Sequence, residues 1–235
     1  MTLILYGAPL SPFVRKAEVV LREKGVEFES ESVNILPMPD WFKAISPARR
    51  IPVLRDTSIG TEGRAGTLPD SSAICAFLEK RHPEPALYPS EPFALGRAIW
   101  LEEWADSELA GAIGLGIFRP LMFPRFQGKP PDIDTAKATW RDKLPRLFDY
   151  LEEELEAAGA ARPEDARHLL GGVLSIADIA IGVQLAQLSM VAGLPDVRRW
   201  PRAVTFAERM FARPSFAPNL AICRKIVKER VELGA

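Results

Sequence analysis

The chain has 235 residues, 30 Lys and Arg against 31 Asp and Glu, and 47% hydrophobic residues, an ordinary soluble globular composition. Charge is even along the chain too, with 11 basic and 11 acidic residues before Pro89 and 19 and 20 after it, which argues against a nucleic-acid partner. The longest uncharged run, 17 residues between Asp178 and Asp196, contains Gln184, Gln187 and Ser189 and is too short and too polar to span a membrane.

Residues 2–7, Thr-Leu-Ile-Leu-Tyr-Gly, predict a buried strand closed by glycine. Ser11-Pro12 is a helix start, because serine accepts free amides as N-cap and proline at the first helical position gives up only an orphaned donor. The helix, with Phe13, Ala17, Val20 and Leu21 on its apolar face, is expected to run to Lys24 and stop at Gly25. A second strand is expected from Val26 to about Val33. Pro37-Met38-Pro39-Asp40-Trp41-Phe42 turns into a short helix, Val53-Leu54-Arg55 forms a third strand, and Gly66-Thr67-Leu68 a fourth. Asp70-Ser71-Ser72 then caps a helix to about His82. This order predicts an α/β unit, a four-stranded mixed sheet with helices on both faces.

Four prolines from His82 through Pro92 rule out helix or central strand there. We expect a first domain over 1–84, a Pro-rich linker over 85–91 and a second domain over 92–235. The second is predicted to be an all-α helical bundle, with helices at 92–117, 134–158, 175–193, 200–212 and 215–231, broken at 124–131, 158–172 and 194–201. Ser175-Ile176-Ala177-Asp178 opens the least charged helix with a capping box.

Cys75 and Cys223 stand alone, with no Cys/His cluster, so neither a disulfide framework nor a metal site is expected. His82 and His168 lie in Pro- or charge-rich surface segments and offer no metal or base site. The apolar opening precedes the first charges, Arg15 and Lys16, the wrong order for a secretory leader, and the expected location is the cytoplasm.

Three features of the first domain converge. Ser11 sits where a helix N-terminus, with its free amides, follows the first strand. Ile51-Pro52 stands where a cis peptide can be built, turning the amide and carbonyl of Ile51 outward. Asp70-Ser71 puts a carboxylate beside another helix N-terminus. A sheet of the expected order gathers all three at one edge.

These residues resemble the glutathione transferases, which carry a thioredoxin-like domain first and a helical domain second. The resemblance spans essentially the whole chain. It rests on Ser11-Pro12-Phe13-Val14-Arg15-Lys16, Pro39-Asp40-Trp41-Phe42 before Ser46-Pro47, Ile51-Pro52-Val53-Leu54, Asp70-Ser71-Ser72-Ala73-Ile74 and Ser175-Ile176-Ala177-Asp178, five segments in order. The opening is similar to serine-type members, with omega-like and plant-like features.

The resemblance implies that Ser11 holds the sulfur of glutathione, the co-substrate, as thiolate. A free thiol has a pKa of about 8.5 and only the thiolate attacks. It implies that the Ile51 backbone, ahead of cis Pro52, pairs with the cysteinyl part like an added strand. Asp70 would bind the γ-glutamyl ammonium, Ser71 its carboxylate, and Arg50 the glycine carboxylate. Asp70 stands where many members have Glu, and Met38 where omega-like and plant members often carry Lys, a contact Lys43 or Arg49 would have to replace. Tyr6 is the competing partner for the sulfur, by analogy with tyrosine-type members.

An apolar electrophile is expected to enter between the domains next to Ser11, with Leu10 and Phe13 on one side and Trp104 and Phe118, helped by Met122 and Phe123, on the other. At helical spacing, Trp100 and Trp104 also read as core. The family implies a homodimer. The implied activity is conjugation in detoxification; glutathione-dependent isomerisation, ether cleavage or dehalogenation, and a non-catalytic binding module, are the alternatives. Serine instead of cysteine at position 11 argues against thiol exchange.

Overall fold

The computed structural model describes residues 2–161 and 168–233, and the chain divides into two compact units, Met1–Leu87 and Tyr88–Ala235. In the first unit the elements are β1 (Leu3–Gly7), α1 (Pro12–Glu23), β2 (Glu29–Ser32), α2 (Asp40–Ile45), β3 (Val53–Asp56), β4 (Thr67–Pro69) and α3 (Ser71–Arg81). The sheet order is β2-β1-β3-β4, with β1 and β2 parallel and the β1–β3 and β3–β4 pairs antiparallel. It is the expected mixed α/β sheet. β2 is shorter than the sequence suggests: it is an exposed edge strand, and the apolar residue that follows it, Val33, keeps its N–H on the Gly7 carbonyl at 2.9 Å while its side chain joins the core.

The turn from β1 into α1 needs the glycine that closes β1. A Cβ on Gly7 would collide with the side chain of Val14, so only a hydrogen there lets the first turn of α1 lie against the strand end. On one side of the sheet Tyr6, Val33, Phe42, Ile45 and Val53 form a cluster, joined by Ile4, Met38 and Ile51. α1 buries every residue from Val14 to Leu21, Arg15 and Lys16 included, and packs against α3.

Lys24 fastens the segment that leaves this unit. Its buried Nζ donates to the carbonyls of His82 at 2.7 Å and Pro85 at 2.9 Å and pairs with Glu79 at 2.8 Å. Glu79 in turn accepts the Leu87 N–H at 3.2 Å.

In the second unit the helices are α4 (Pro92–Trp104), α5 (Arg119–Phe126), α6 (Ile133–Asp142), α7 (Leu144–Ala161), α8 (Ile176–Val191), α9 (Pro201–Phe211) and α10 (Ala217–Ile226). Among its described residues every element is helical, as the pattern predicts, apart from one isolated bridge between His168 and Gly171. Three boundaries differ. The helix expected over 92–117 continues past Trp104 as two π-helical stretches, Ala105–Leu109 and Gly111–Phe118, and then as α5. The helix expected over 134–158 is two, parted at Lys143, because Pro145 has no N–H to donate to the carbonyl of residue 141. α10 ends at Ile226, and the chain then runs irregularly, with Val231 N–H on the Val191 carbonyl at 2.8 Å. Residues 162–167, part of the break expected over 158–172, lie outside the described residues. Among the described residues no helix is long and apolar enough to cross a membrane.

Candidate active site

Register decides what the first unit brings together. Tyr6 of β1 is paired with Val53 of β3, and Val53 with Pro69 of β4. The end of β1, the start of β3 and the end of β4 therefore lie side by side. Residues 8–11, 51–52 and 70–71, which continue from these ends, share one edge of the sheet, and the Asp70 N–H closes onto the Pro52 carbonyl at 3.3 Å.

Ser11 is the N-cap of α1, with Pro12 at the first helical position. Its Oγ accepts the Val14 N–H at 3.4 Å and its own N–H donates to the Ala8 carbonyl at 3.0 Å. A contact of 3.4 Å is at the long end for such a bond. A hydroxyl has one proton and two lone pairs, so the proton of Ser11 stays available for an anion in front of the helix. The partial positive charge of the α1 terminus acts in the same direction.

The Ile51–Pro52 peptide is cis. Among the described residues neither the amide nor the carbonyl of Ile51 has a hydrogen-bond partner, a free edge for an extended peptide. The approach to it is fixed by Ser46, whose buried hydroxyl accepts the Arg50 N–H at 3.0 Å and donates to the Arg50 carbonyl at 2.7 Å. The Arg50 side chain is exposed.

Asp70 is the N-cap of α3, and its φ of 95° is a left-handed value that costs a non-glycine residue on the order of 1–3 kcal/mol. Its Oδ1 accepts the amides of Ser72 at 2.9 Å and Ala73 at 3.2 Å. One carboxylate oxygen thus holds the helix start, and the other has no hydrogen bond to a described residue. Ser71, 4% exposed at the first helical position, keeps both its amide and its hydroxyl unpaired among the described residues. That is the donor set an incoming carboxylate needs.

The other expected residues are placed as follows. Tyr6 is 7% exposed, in the cluster under the sheet, with its ring edge-to-face on Trp41 at 5.5 Å and Phe42 at 6.4 Å. Met38 packs on the same cluster, an apolar setting that explains methionine where a lysine would be stranded. Lys43 is ion-paired with Asp40 at 2.7 Å, and Lys43 holds the Asp40 carboxyl below its usual range. Leu10 and Phe13 are half-buried.

Trp104 and Phe118, 5% and 8% exposed, are core residues of the second unit, Trp104 against Tyr150 at 4.9 Å and Phe118 against Phe123 at 6.5 Å. Trp100 corrects the expectation that it is core: it is 49% exposed, with its indole N–H on the Tyr150 hydroxyl at 2.8 Å. One helix turn separates it from Trp104, and the buried stripe is too narrow for both. Among the described residues no three or more His, Cys, Asp or Glu are grouped to hold a metal ion.

The ties made by the fully buried cations of α1 are not announced by the sequence. Arg15 reaches back to the Pro9 carbonyl at 3.5 Å, and Lys16 Nζ donates to Ser72 Oγ at 3.0 Å. The available signal was two adjacent charges in a helix with hydrophobic residues on both sides.

Comparison with known proteins finds the glutathione S-transferase N-terminal domain over residues 5–86 and the glutathione S-transferase C-terminal domain over residues 102–209. The chain is 30% identical over 228 residues to glutathione S-transferase 3 of Zea mays, covering 92% of each. It is 27% identical over 230 residues to a probable cytosolic glutathione S-transferase, DHAR1, of Oryza sativa subsp. japonica, covering 95% of this chain and 87% of the relative. Among solved structures, FzlA from C. crescentus superposes with a TM-score of 0.81 at 24% identity, over 94% of this chain and 92% of that one, a likeness of fold.

Proposed function

Since the chain belongs to the glutathione S-transferase family, we propose that it binds glutathione along the sheet edge of its first unit and adds the tripeptide's thiolate to an apolar electrophile. The observation that carries this reading is the set of unspent groups collected at that edge: the Ser11 hydroxyl, the amide and carbonyl of Ile51, and the amide and hydroxyl of Ser71. They match, in order, a sulfur anion, an extended peptide and a terminal carboxylate.

In this mechanism the γ-glutamyl carboxylate sits on the N-terminus of α3 at Ser71, and the free oxygen of Asp70 takes the neighbouring ammonium. The cysteinyl backbone pairs with Ile51, and Arg50 reaches the glycine carboxylate. The sulfur then lies before α1, where the Ser11 hydroxyl donates to it. Each unit by which the thiol pKa falls takes about 1.4 kcal/mol of preference for the anion, within reach of one hydroxyl and one helix terminus. The thiolate attacks the electrophilic carbon, a carbon–sulfur bond forms, and the leaving group, or the electron pair of the attacked double bond, carries the negative charge away. Ser11 makes no covalent bond. Catalysis is positioning plus stabilisation of the nucleophile. Leu10 and Phe13 supply apolar surface in the first unit. A cytoplasmic homodimer acting in detoxification completes the proposal and is supported by the family.

Retention on immobilised glutathione tests it. The wild type is expected to be retained and eluted by free glutathione, and Asp70→Ala to pass through. Failure of the wild type to bind, with the protein folded by circular dichroism, sinks the reading in favour of a non-catalytic module.

A further inference from the structure

Glutathione binding as described needs two anchors on two different helices: the sulfur in front of α1 and the γ-glutamyl carboxylate in front of α3. The distance between them is set by the ligand, so α1 and α3 must be held in one relative position. Apolar packing along α1 and α3 allows small slides, because dispersion and burial are not directional. A hydrogen bond from a buried ammonium is directional, and such a charge in the interior is held to the geometry of its partners.

We propose that Lys16 is a positioning residue for the glutathione site, tying the second turn of α1 to the first turn of α3 so that Ser71 faces the carboxylate while Ser11 faces the sulfur. The inference rests on glutathione binding at this edge. Lys16 is 0% exposed, and its Nζ donates to Ser72 Oγ at 3.0 Å. Ser72 follows Ser71 directly, and its own N–H is on Asp70 Oδ1 at 2.9 Å. One contact therefore grips the residue between the cap of α3 and its second turn. One residue earlier on α1, Arg15 reaches the Pro9 carbonyl at 3.5 Å, in the loop that carries Ser11. The adjacent cations hold the two loops that the ligand must bridge.

A lysine that only filled space would be replaceable by methionine, which has nearly its length and no charge to desolvate. The tie instead predicts that Lys16 and Ser72 act on binding as one unit. The probe is S-methylglutathione, which has both carboxylates and no ionisable thiol, so its dissociation constant reports positioning without thiolate chemistry. Lys16→Met and Ser72→Ala are each expected to weaken it about tenfold, the usual worth of one hydrogen bond to a charged group. The double variant is expected to be no weaker than either single one. A second probe, the same tripeptide lacking the γ-glutamyl α-carboxylate, should bind all four proteins equally, because the group that the tie aims at is gone.

Losses that multiply to about a hundredfold in the double variant, or persist with the truncated peptide, overturn the proposal and leave Lys16 a fold residue. Unchanged affinity in both single variants overturns it as well. If Lys16→Met does not fold, Ser72→Ala decides alone, by losing affinity for the full peptide and not for the truncated one. A wild type that binds neither peptide overturns the glutathione reading itself, a different result from a wild type that binds and variants that match it.

Discussion

The helices α1 and α8 each have a serine at the N-cap, and the two serines are used in different ways. At the start of α8 the residue is 3% exposed, and both its N–H and its hydroxyl donate to Asp178 Oδ2, at 2.9 and 2.8 Å. Asp178, 0% exposed, also accepts the Leu169 N–H at 2.9 Å through its other oxygen. At the start of α1, Ser11 is half-buried and held by one 3.4 Å contact to the Val14 amide. The Ser175 hydroxyl is spent on its own helix, whereas that of Ser11 has a proton to give. Both positions satisfy the same sequence preference for a cap, and only the hydrogen-bond inventory around them separates structural from chemical use.

The largest effect is expected at the closed cap. Asp178→Ala leaves two amides and a hydroxyl without their acceptor in the interior, a loss of about 3 kcal/mol or more at 1–3 kcal/mol per buried unpaired donor. Urea unfolding followed by far-ultraviolet circular dichroism measures it. A loss below about 1 kcal/mol, the ordinary worth of a helix cap, would erase the difference drawn between the two serines.

At the open cap stability and activity should part. Ser11→Ala is expected to change unfolding free energy by no more than about 1 kcal/mol. The turnover of an electrophile with glutathione should fall about a hundredfold, as when one donor to a developing or bound anion is removed. Thiolate absorbance of bound glutathione against pH gives the cause, since without the hydroxyl the midpoint should move up. An unchanged titration would hand the sulfur contact to Tyr6, although the ring of that residue is packed in the core beneath the sheet.

What could be read from the sequence follows the same division between local and distant causes. The starts of α1 and α3 were legible because a cap, a proline and the first apolar turn lie within five residues of one another, and that of α8 because Ser175 and Asp178 stand at capping-box spacing before an apolar run. That the first unit is a four-stranded mixed sheet was legible because four short runs leave few connections that pack. The π-helical widening over 105–118 was not, because the three glycines of Gly111-Ala112-Ile113-Gly114-Leu115-Gly116 weaken a helix without saying how it winds. There the backbone lies so close to α6 that a Cβ on Gly116 would meet the Thr139 side chain at 2.6 Å, a tertiary demand invisible to periodicity. Of the candidate site, the sequence singles out Ser11, Ile51, Asp70 and Ser71, which the fold gathers at one sheet edge. The ties that place them were not legible: Lys16 meets Ser72 across 56 positions and Lys24 meets His82 across 58, and no local pattern encodes such a pairing.

The smallest effect expected among the caps belongs to Glu91, which opens α4 and accepts the amides of Phe93 at 2.9 Å and Ala94 at 2.6 Å. These two amides hold its carboxyl below the ordinary glutamate value of 4.5. The ionised form is therefore favoured by folding, so its contribution is fully present above pH 4.5 and is lost as the pH falls through the lower value of the folded state. The wild type should be slightly more stable than Glu91→Gln at pH 7 and lose that margin on acidification below pH 4.5, in urea titrations at pH 7, 4.5 and 3. A margin independent of pH would mean that the shape of the side chain, not its charge, caps the helix. That the exposed, charged cap of α4 should matter less than the buried one of α8 follows from water: it competes for every hydrogen bond of Glu91 and for none of those made by Asp178.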